Sequence, residues 1–369
     1  MENRITTSPR LAYLDSVRGI AALMVVFGHF INWKYGDYRS IKFASILFNG
    51  NDAVAFFFVL SGMVLSYPYV QLGKKLDIGK FYVNRIFRIF PAFWIALLIN
   101  ALYASFWMIA PSSLNWVDVF VLNKSEFWNE ALLIRGYNKF YLPGWTLTIE
   151  ICFSFLMPFL ILIPRYDRRL LPWLLFASFL TINITGFFLF HFVLGIFLSF
   201  YFVEIQQKEF KQTWYYKYRV PLLIIAALFF SLRQIVRISP LGSTLEYAMN
   251  VLKVDFFIFS GLAAFIFLAF LIHFKNVQRF FEHPILLFYG RISYGIYLMH
   301  WVFVWAIGDY WETVILPMFS NWQYAFFSML FLCFVVTTIT ATLLHYFVEL
   351  PLIKIGKRVA GRMKETITI

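Results

Sequence analysis

The stretch LDSVRGIAALMVVFGHF, Leu14 to Phe30, decides the fold. With its flanks it reaches the roughly 20 apolar residues that cross a hydrocarbon core as a helix. Yet it carries Asp15 and Arg18 near one end and His29 near the other. Arg18 and His29 are eleven positions apart, which at about 100° per residue leaves them roughly 20° apart around a helix. At about 1.5 Å per residue they are separated by roughly 16 Å, about half the hydrocarbon thickness. Asp15 stands one turn from Arg18 and is placed to pair with it. An arginine at mid-membrane costs about 2.5–3.5 kcal/mol or more, so polar groups in such spans face protein or water and mark function by default. The plainer reading is a snorkelling Arg18 and a His29 that only packs helices together.

The rest of the chain has the same character. It is 61% hydrophobic and only 14% charged over 369 residues, too little charge to cover a soluble domain of that length. Its apolar runs are long and do not alternate, which favours membrane helices over a barrel. Phe, Tyr and Trp make up 22%, as suits lipid contact and interfacial belts. The net charge of +13 would point to nucleic acid in a soluble protein. Here the basic residues fall in short segments between apolar runs, so they read as topology signals and no nucleic-acid partner is expected. Cys152 and Cys333 both lie inside apolar runs, so neither a disulfide framework nor a thiolate metal site is expected. The N-terminus lacks the small-residue cleavage site of a signal peptide.

The expected fold is all-α, a polytopic membrane bundle of about ten helices forming one membrane-embedded domain over 1–369. The spans fall at about 12–32, 53–72, 91–110, 145–163, 171–186, 187–204, 220–236, 251–272, 292–309 and 322–348. The fifth and sixth are short and nearly continuous, as in a tight hairpin around Gly186. Most of the 32 Lys and Arg gather on one side, including Arg4, Arg10, Lys74, Lys80, Arg165, Arg168, Lys211, Arg279 and Arg291. Arg233, Arg237 and Lys253 fall on the other. The excess places both termini, and a basic tail at about 350–369, in the cytoplasm. An outer loop at about 111–143 is longer than a turn needs and suits a lid or acceptor platform.

Three further segments carry polar groups into the membrane. In NRIFRIFP, Arg85 and Arg88 are three apart at the cytoplasmic start of the third span, so they point the same way. Two guanidiniums on one face suit phosphate, although ordinary positive-inside charge explains them equally well. In PGWTLTIEICF, Thr146 and Glu150 share a face, and Glu150 falls at a depth similar to His29. A carboxylate and an imidazole at matched depth suit an acid–base or orienting pair; a helix N-terminal charge is the alternative. In RISYGIYLMHW, Ser293, Tyr297 and His300 form one polar stripe, with packing the simpler role for the first two. His191 is a further candidate without a supporting pattern.

Together these segments resemble acyltransferase family 3, the bacterial integral-membrane O-acyltransferases. LDSVRGIAALMVVFGHF is similar to the family's first-span signature, an arginine and a histidine separated by ten residues, met by Arg18 and His29. FFFVLSGMVLS, which contains Ser61, resembles the phenylalanine-rich second-span motif. NRIFRIFP resembles the double-arginine motif, GWTLTIE the motif met by Trp145 and Glu150, and GRISYGIYLMHW the late motif ending in His300. HYFVELPLIKIGKR resembles the usual last-span exit. The matches keep their order over essentially the whole chain. Ser16 and Thr146 depart conservatively from the usual residues, whereas Ile151, in place of the usual aromatic beside Glu150, bears on acceptor shape; the stand-alone type without an extracytoplasmic hydrolase-like domain is expected.

The resemblance implies transfer of an acyl group, usually acetyl, from cytoplasmic acyl-coenzyme A to a hydroxyl of an extracytoplasmic glycan or lipid-linked saccharide, at the cytoplasmic (inner) membrane. His29 and Glu150 would be catalytic. Arg18, Arg85 and Arg88 would bind or pass the donor, with Asp15, Ser61, Trp145, Tyr297 and His300 in support. Acetyl-CoA enters as substrate, and no bound cofactor or metal is implied. Intramembrane Arg and His residues also occur in transport paths, so an exporter of a glycan or lipid intermediate is the competing class, although no inverted repeat is visible. An interaction subunit of a polysaccharide assembly, with the polar groups merely packing, is the third.

Overall fold

The computed structural model describes residues 11–32, 44–106, 124–134, 140–182, 188–207, 214–240, 242–251 and 254–364. Its principal helices are α1 (Ala12–Asn32), α2 (Gly50–Val70), α3 (Ile78–Phe106), α4 (Gly144–Tyr166), α5 (Leu170–Leu180) and α6 (Phe188–Gln207). They continue as α7 (Arg219–Ile238), α8 (Phe256–His273), α9 (Ser293–Tyr310), α10 (Trp322–Leu344) and α11 (Leu350–Arg362). No strand occurs among the described residues. The chain is an all-α polytopic membrane bundle.

Each of the ten expected spans falls on a helix, but not all ten are equivalent. Among the described residues, eight helices are long and apolar enough to cross a membrane. The fifth, α5, has 11 residues, and its rise of about 1.5 Å per residue leaves it short of a full crossing. The ninth, α9, is long enough but carries tyrosines, a histidine and Asp309. It needs no apolar coat, because Ser293 and most residues from Gly295 to Val304 are buried by neighbouring helices. The hairpin turn around Gly186 and most of the outer loop at 111–143 lie outside the described residues. What is described there is a short helix, Lys124–Ala131, and the approach to α4. Buried Glu130 accepts hydrogen bonds from the backbone N–H groups of Phe140 and Tyr141, fixing that approach.

Between membrane helices the lipid supplies no hydrophobic drive, so close backbone approach and interhelical hydrogen bonds hold the bundle. α2 and α6 meet at two glycines. A Cβ on Gly195 would run into the Val59 carbonyl, and one on Gly62 into that of Phe192. Next to this seam Ser66 and Ser199 share a hydrogen bond of 2.6 Å. At the end where α2 begins, fully buried Asp52 accepts from Ser260 at 2.6 Å and from Arg233 at 3.4 Å. Arg233 also pairs with Asp255 at 3.0 Å and lies over the Phe257 ring. Arg233, read in the sequence as a topology charge, therefore ties α7 to α2 and α8.

α10 does not stop at Leu344. It passes through a π-helical segment, His345–Glu349, into the basic helix α11. Pro351 has no N–H for the Phe347 carbonyl, and its ring crowds that carbonyl, so the winding widens just ahead of it. The start of α1, the end of α2 and Lys357 of α11 all line one cavity, so the first and last described helices meet at the same end of the bundle.

Candidate functional site

That cavity has a volume of about 810 Å³. α1 contributes Asp15 and Arg18, α2 contributes Ser61, α3 contributes Arg85 and Arg88, and α4 contributes Glu150. Six cationic side chains line it (Arg18, Lys74, Arg85, Arg88, Arg291 and Lys357), against the carboxylates of Asp15, Glu150 and Glu349. The imbalance is positive, and much of the remaining wall is apolar, supplied by residues such as Leu60, Met63 and Leu65. Charged groups acting on Arg18 are Arg88, Glu150, Asp15 and Glu349, so Asp15 is one of several neighbours rather than a dedicated partner.

Glu150 stands apart from the partner expected for it. Its carboxylate accepts from Arg85 at 2.7 Å, not from His29. Arg85 also donates to Ser154 Oγ, at 2.9 Å from its terminal nitrogen and 3.2 Å from Nε. The two helices enter from opposite ends, and α3 spans 29 residues, so Arg85 is carried inward until its side chain reaches the level of Glu150. Depth counted from span ends misses this, because it ignores helix overhang and side-chain reach. The pair is largely enclosed, with 11% and 22% side-chain exposure. Arg88, one turn on, makes no hydrogen bond or ion pair among the described residues and faces the same cavity.

Sequence reasoning passed over two groups here. Ser154, four residues past Glu150, shares its face and completes the Arg85 contact. His345 and Glu349 form a buried pair, with Nδ1 to Oε2 at 2.7 Å, inside the π-helical segment and against the cavity. Their spacing of four was visible within the motif assigned to the last-span exit; their access to the cavity was not.

His29 and His300 lie off this cavity and bond each other. His29 Nδ1 is 2.9 Å from His300 Nε2, and the rings stack at 5.1 Å and 13°. α1 and α9 start from the same end of the bundle, which brings the last turn of α1 beside the middle of α9. Trp301 lies edge-on to His29, and Tyr297 lies a turn below His300. The Tyr297 hydroxyl shares a hydrogen bond with Thr146 and is 3.0 Å from the Pro143 carbonyl. The Tyr141 hydroxyl donates to the Tyr297 carbonyl at 2.9 Å. With Phe57 against Tyr297 at 6.0 Å, these rings form an aromatic layer around the pair. Trp145 packs on Phe188 and Phe257, away from both. His191 is a packing residue: fully buried, it contacts the Phe257 carbonyl at 2.8 Å and fills the space a Cβ would take at Gly261.

A family model described as an acyltransferase domain matches residues 11–346, from the first turn of α1 into the π-helical segment. The chain belongs to acyltransferase family 3. It is similar to Nodulation protein 10 of Rhizobium leguminosarum bv. viciae, 27% identical over 173 residues. That match covers 42% of this chain and 45% of the relative, so the alignment spans less than half of each. No solved structure matches the chain. A membrane acyltransferase is thus the coarse assignment; of its motif residues, Arg18, Ser61, Arg85, Arg88 and Glu150 line the cavity, His29 and His300 form the pair, and Trp145 lies in neither.

Proposed function

We propose that this acyltransferase takes an acyl group, acetyl in the simplest case, from cytoplasmic acyl-coenzyme A and delivers it to a hydroxyl of an extracytoplasmic or lipid-linked glycan. The cation-lined cavity carries the reading. Coenzyme A is an anion of several phosphate charges, and guanidiniums grip phosphate by paired, charge-assisted hydrogen bonds. Arg88 is free for that role, while Arg85 is held rigid by Glu150 and Ser154. The bundle end that holds the cavity then faces the cytoplasm of the inner membrane, in agreement with the bias of Lys and Arg along the chain. Arg18 stands where the donor's arm turns inward along α1. His29, roughly 16 Å further along the same helix, takes the part of the reacting imidazole. Its lone pair accepts the acceptor hydroxyl's proton, or accepts the acyl group first.

The test is transfer of label from acetyl-coenzyme A to glycan by the purified protein in lipid. His29→Ala is expected to abolish transfer while leaving the fold and membrane level intact. Wild-type transfer by that variant would remove His29 from the mechanism. Mass spectrometry of surface glycans with and without the gene names the acceptor and donor through the mass lost. Movement of unmodified glycan by proteoliposomes lacking coenzyme A would favour export instead.

A further inference from the structure

We infer that His300 is a positioning residue that locks His29 in the tautomer whose Nε2 carries the free lone pair. The inference rests on the reading of His29 as the reacting group and deepens it.

The argument follows from which atoms can donate. His300 Nδ1 lies 2.7 Å from the Tyr297 carbonyl and 3.2 Å from that of Ile296. A carbonyl only accepts, so His300 Nδ1 bears the proton. In a neutral imidazole the other nitrogen is then an acceptor. His300 Nε2 therefore accepts across the 2.9 Å contact, and the donor is His29 Nδ1–H. The opposite tautomer of His29 would set two lone pairs against each other at that distance. What remains on His29 is Nε2, unprotonated and not directed at His300. His300 is fully buried, and its main-chain anchors lie one turn back on its own helix, so the ring is held from below. In a Ser-His-Asp triad a carboxylate fixes the tautomer of the catalytic histidine. Here a neutral imidazole does so without bringing a second charge into the bundle core.

The proton accounting closes. The acceptor O–H bond breaks as its proton moves to His29 Nε2, and the oxygen forms a bond to the thioester carbonyl carbon. The C–S bond then breaks with its electron pair on sulfur, and His29 Nε2 returns the proton to that thiolate. An ester and a thiol result, and Nδ1–H keeps its bond to His300 throughout.

Two measurements test this. ¹⁵N-histidine spectra of the membrane-embedded protein are compared with those of His29→Gln to assign the His29 ring. A pyridine-type Nε2 and a pyrrole-type Nδ1 are expected; the reverse pattern would overturn the inference without any change at His300. Label transfer from acetyl-coenzyme A is then measured in membrane vesicles for His300→Phe and His300→Gln. The phenylalanine fills the space but cannot accept, and kcat is expected to fall about 100-fold, the usual scale for a misplaced base, with KM for acetyl-coenzyme A unchanged. The glutamine carbonyl accepts, and it should recover at least about tenfold of that loss. Equal rates for the two variants would overturn the acceptor role of His300. Full activity of His29→Ala would instead overturn the underlying reading of His29, and the spectra would still decide the tautomer.

Discussion

The cavity and the histidine pair solve the problem of polar groups in a membrane in opposite ways. The cavity is a field of charge, with six cations around three carboxylates. The histidine pair bonds ring to ring and to main-chain carbonyls, among aromatic rings. A charge in hydrocarbon is costly, whereas a neutral ring costs far less. The difference teaches a division of labour: long-range attraction at the mouth, a short-range lone pair deeper in. On the proposed reading the donor is gathered by charge and the chemistry is done where charge is scarce.

The comparison is broken most sharply at Glu150. Glu150→Gln leaves Arg85 enclosed without its counter-charge, which should lower stability by about 3 kcal/mol, the lower end for breaking a buried pair because both groups keep some exposure. Unfolding of Glu150→Gln, Arg85→Gln and the double variant in detergent measures the coupling. The double variant should be more stable than the sum of the single losses implies. Strict additivity would make the pair a bystander. The same changes should leave the His29 tautomer untouched, because none of these groups touches the histidine pair.

A smaller effect is expected at Arg88, which faces the cavity without an ion pair of its own among the described residues. Arg88→Ala should raise KM for acetyl-coenzyme A about tenfold, the equivalent of about 1.4 kcal/mol, with kcat little changed. Arg88→Lys keeps the charge but not the fork, so it should fall between. Added salt should narrow the gap between wild type and Arg88→Ala, as screening of a phosphate contact requires. A fall in kcat at constant KM would move Arg88 from donor binding to the chemical step.

The helices were legible in the sequence because apolar runs of membrane length have few other uses. The limits of that reading were physical. α5 is apolar enough but too short, and α9 is shielded by neighbours rather than by its own composition. Within the site, which residues matter was easier to read than which residues touch. The shared face of Arg18 and His29 follows from one helix's geometry, yet only Arg18 reaches the cavity. The partner of Glu150 depends on how far α3 overhangs α4, which no single-helix argument contains. His345 and Glu349 carried an i, i+4 signal, but their exposure to the cavity depends on the widened turn ahead of Pro351.

The smallest predicted effect lies on the boundary between the two regions, at Tyr297. Its hydroxyl meets Thr146 and the Pro143 carbonyl, while its ring stands between Phe57 and His300. Tyr297→Phe removes the hydroxyl and keeps the ring. Thr146 Oγ1 still donates to the Pro143 carbonyl at 3.0 Å, so no buried donor is stranded. The loss should be about 1 kcal/mol, the net worth of an ordinary hydrogen bond, read as a small drop in thermal midpoint. The main-chain carbonyl of Tyr297 remains to accept from His300 Nδ1, so the ¹⁵N pattern of His29 should not change. Tyr297→Ala differs in kind, because it opens the aromatic layer and frees the space beside His300. If the phenylalanine variant behaves like the alanine one, the hydroxyl and not the ring sets the boundary, and the charged cavity and the histidine pair are coupled through Thr146 rather than partitioned by aromatic bulk.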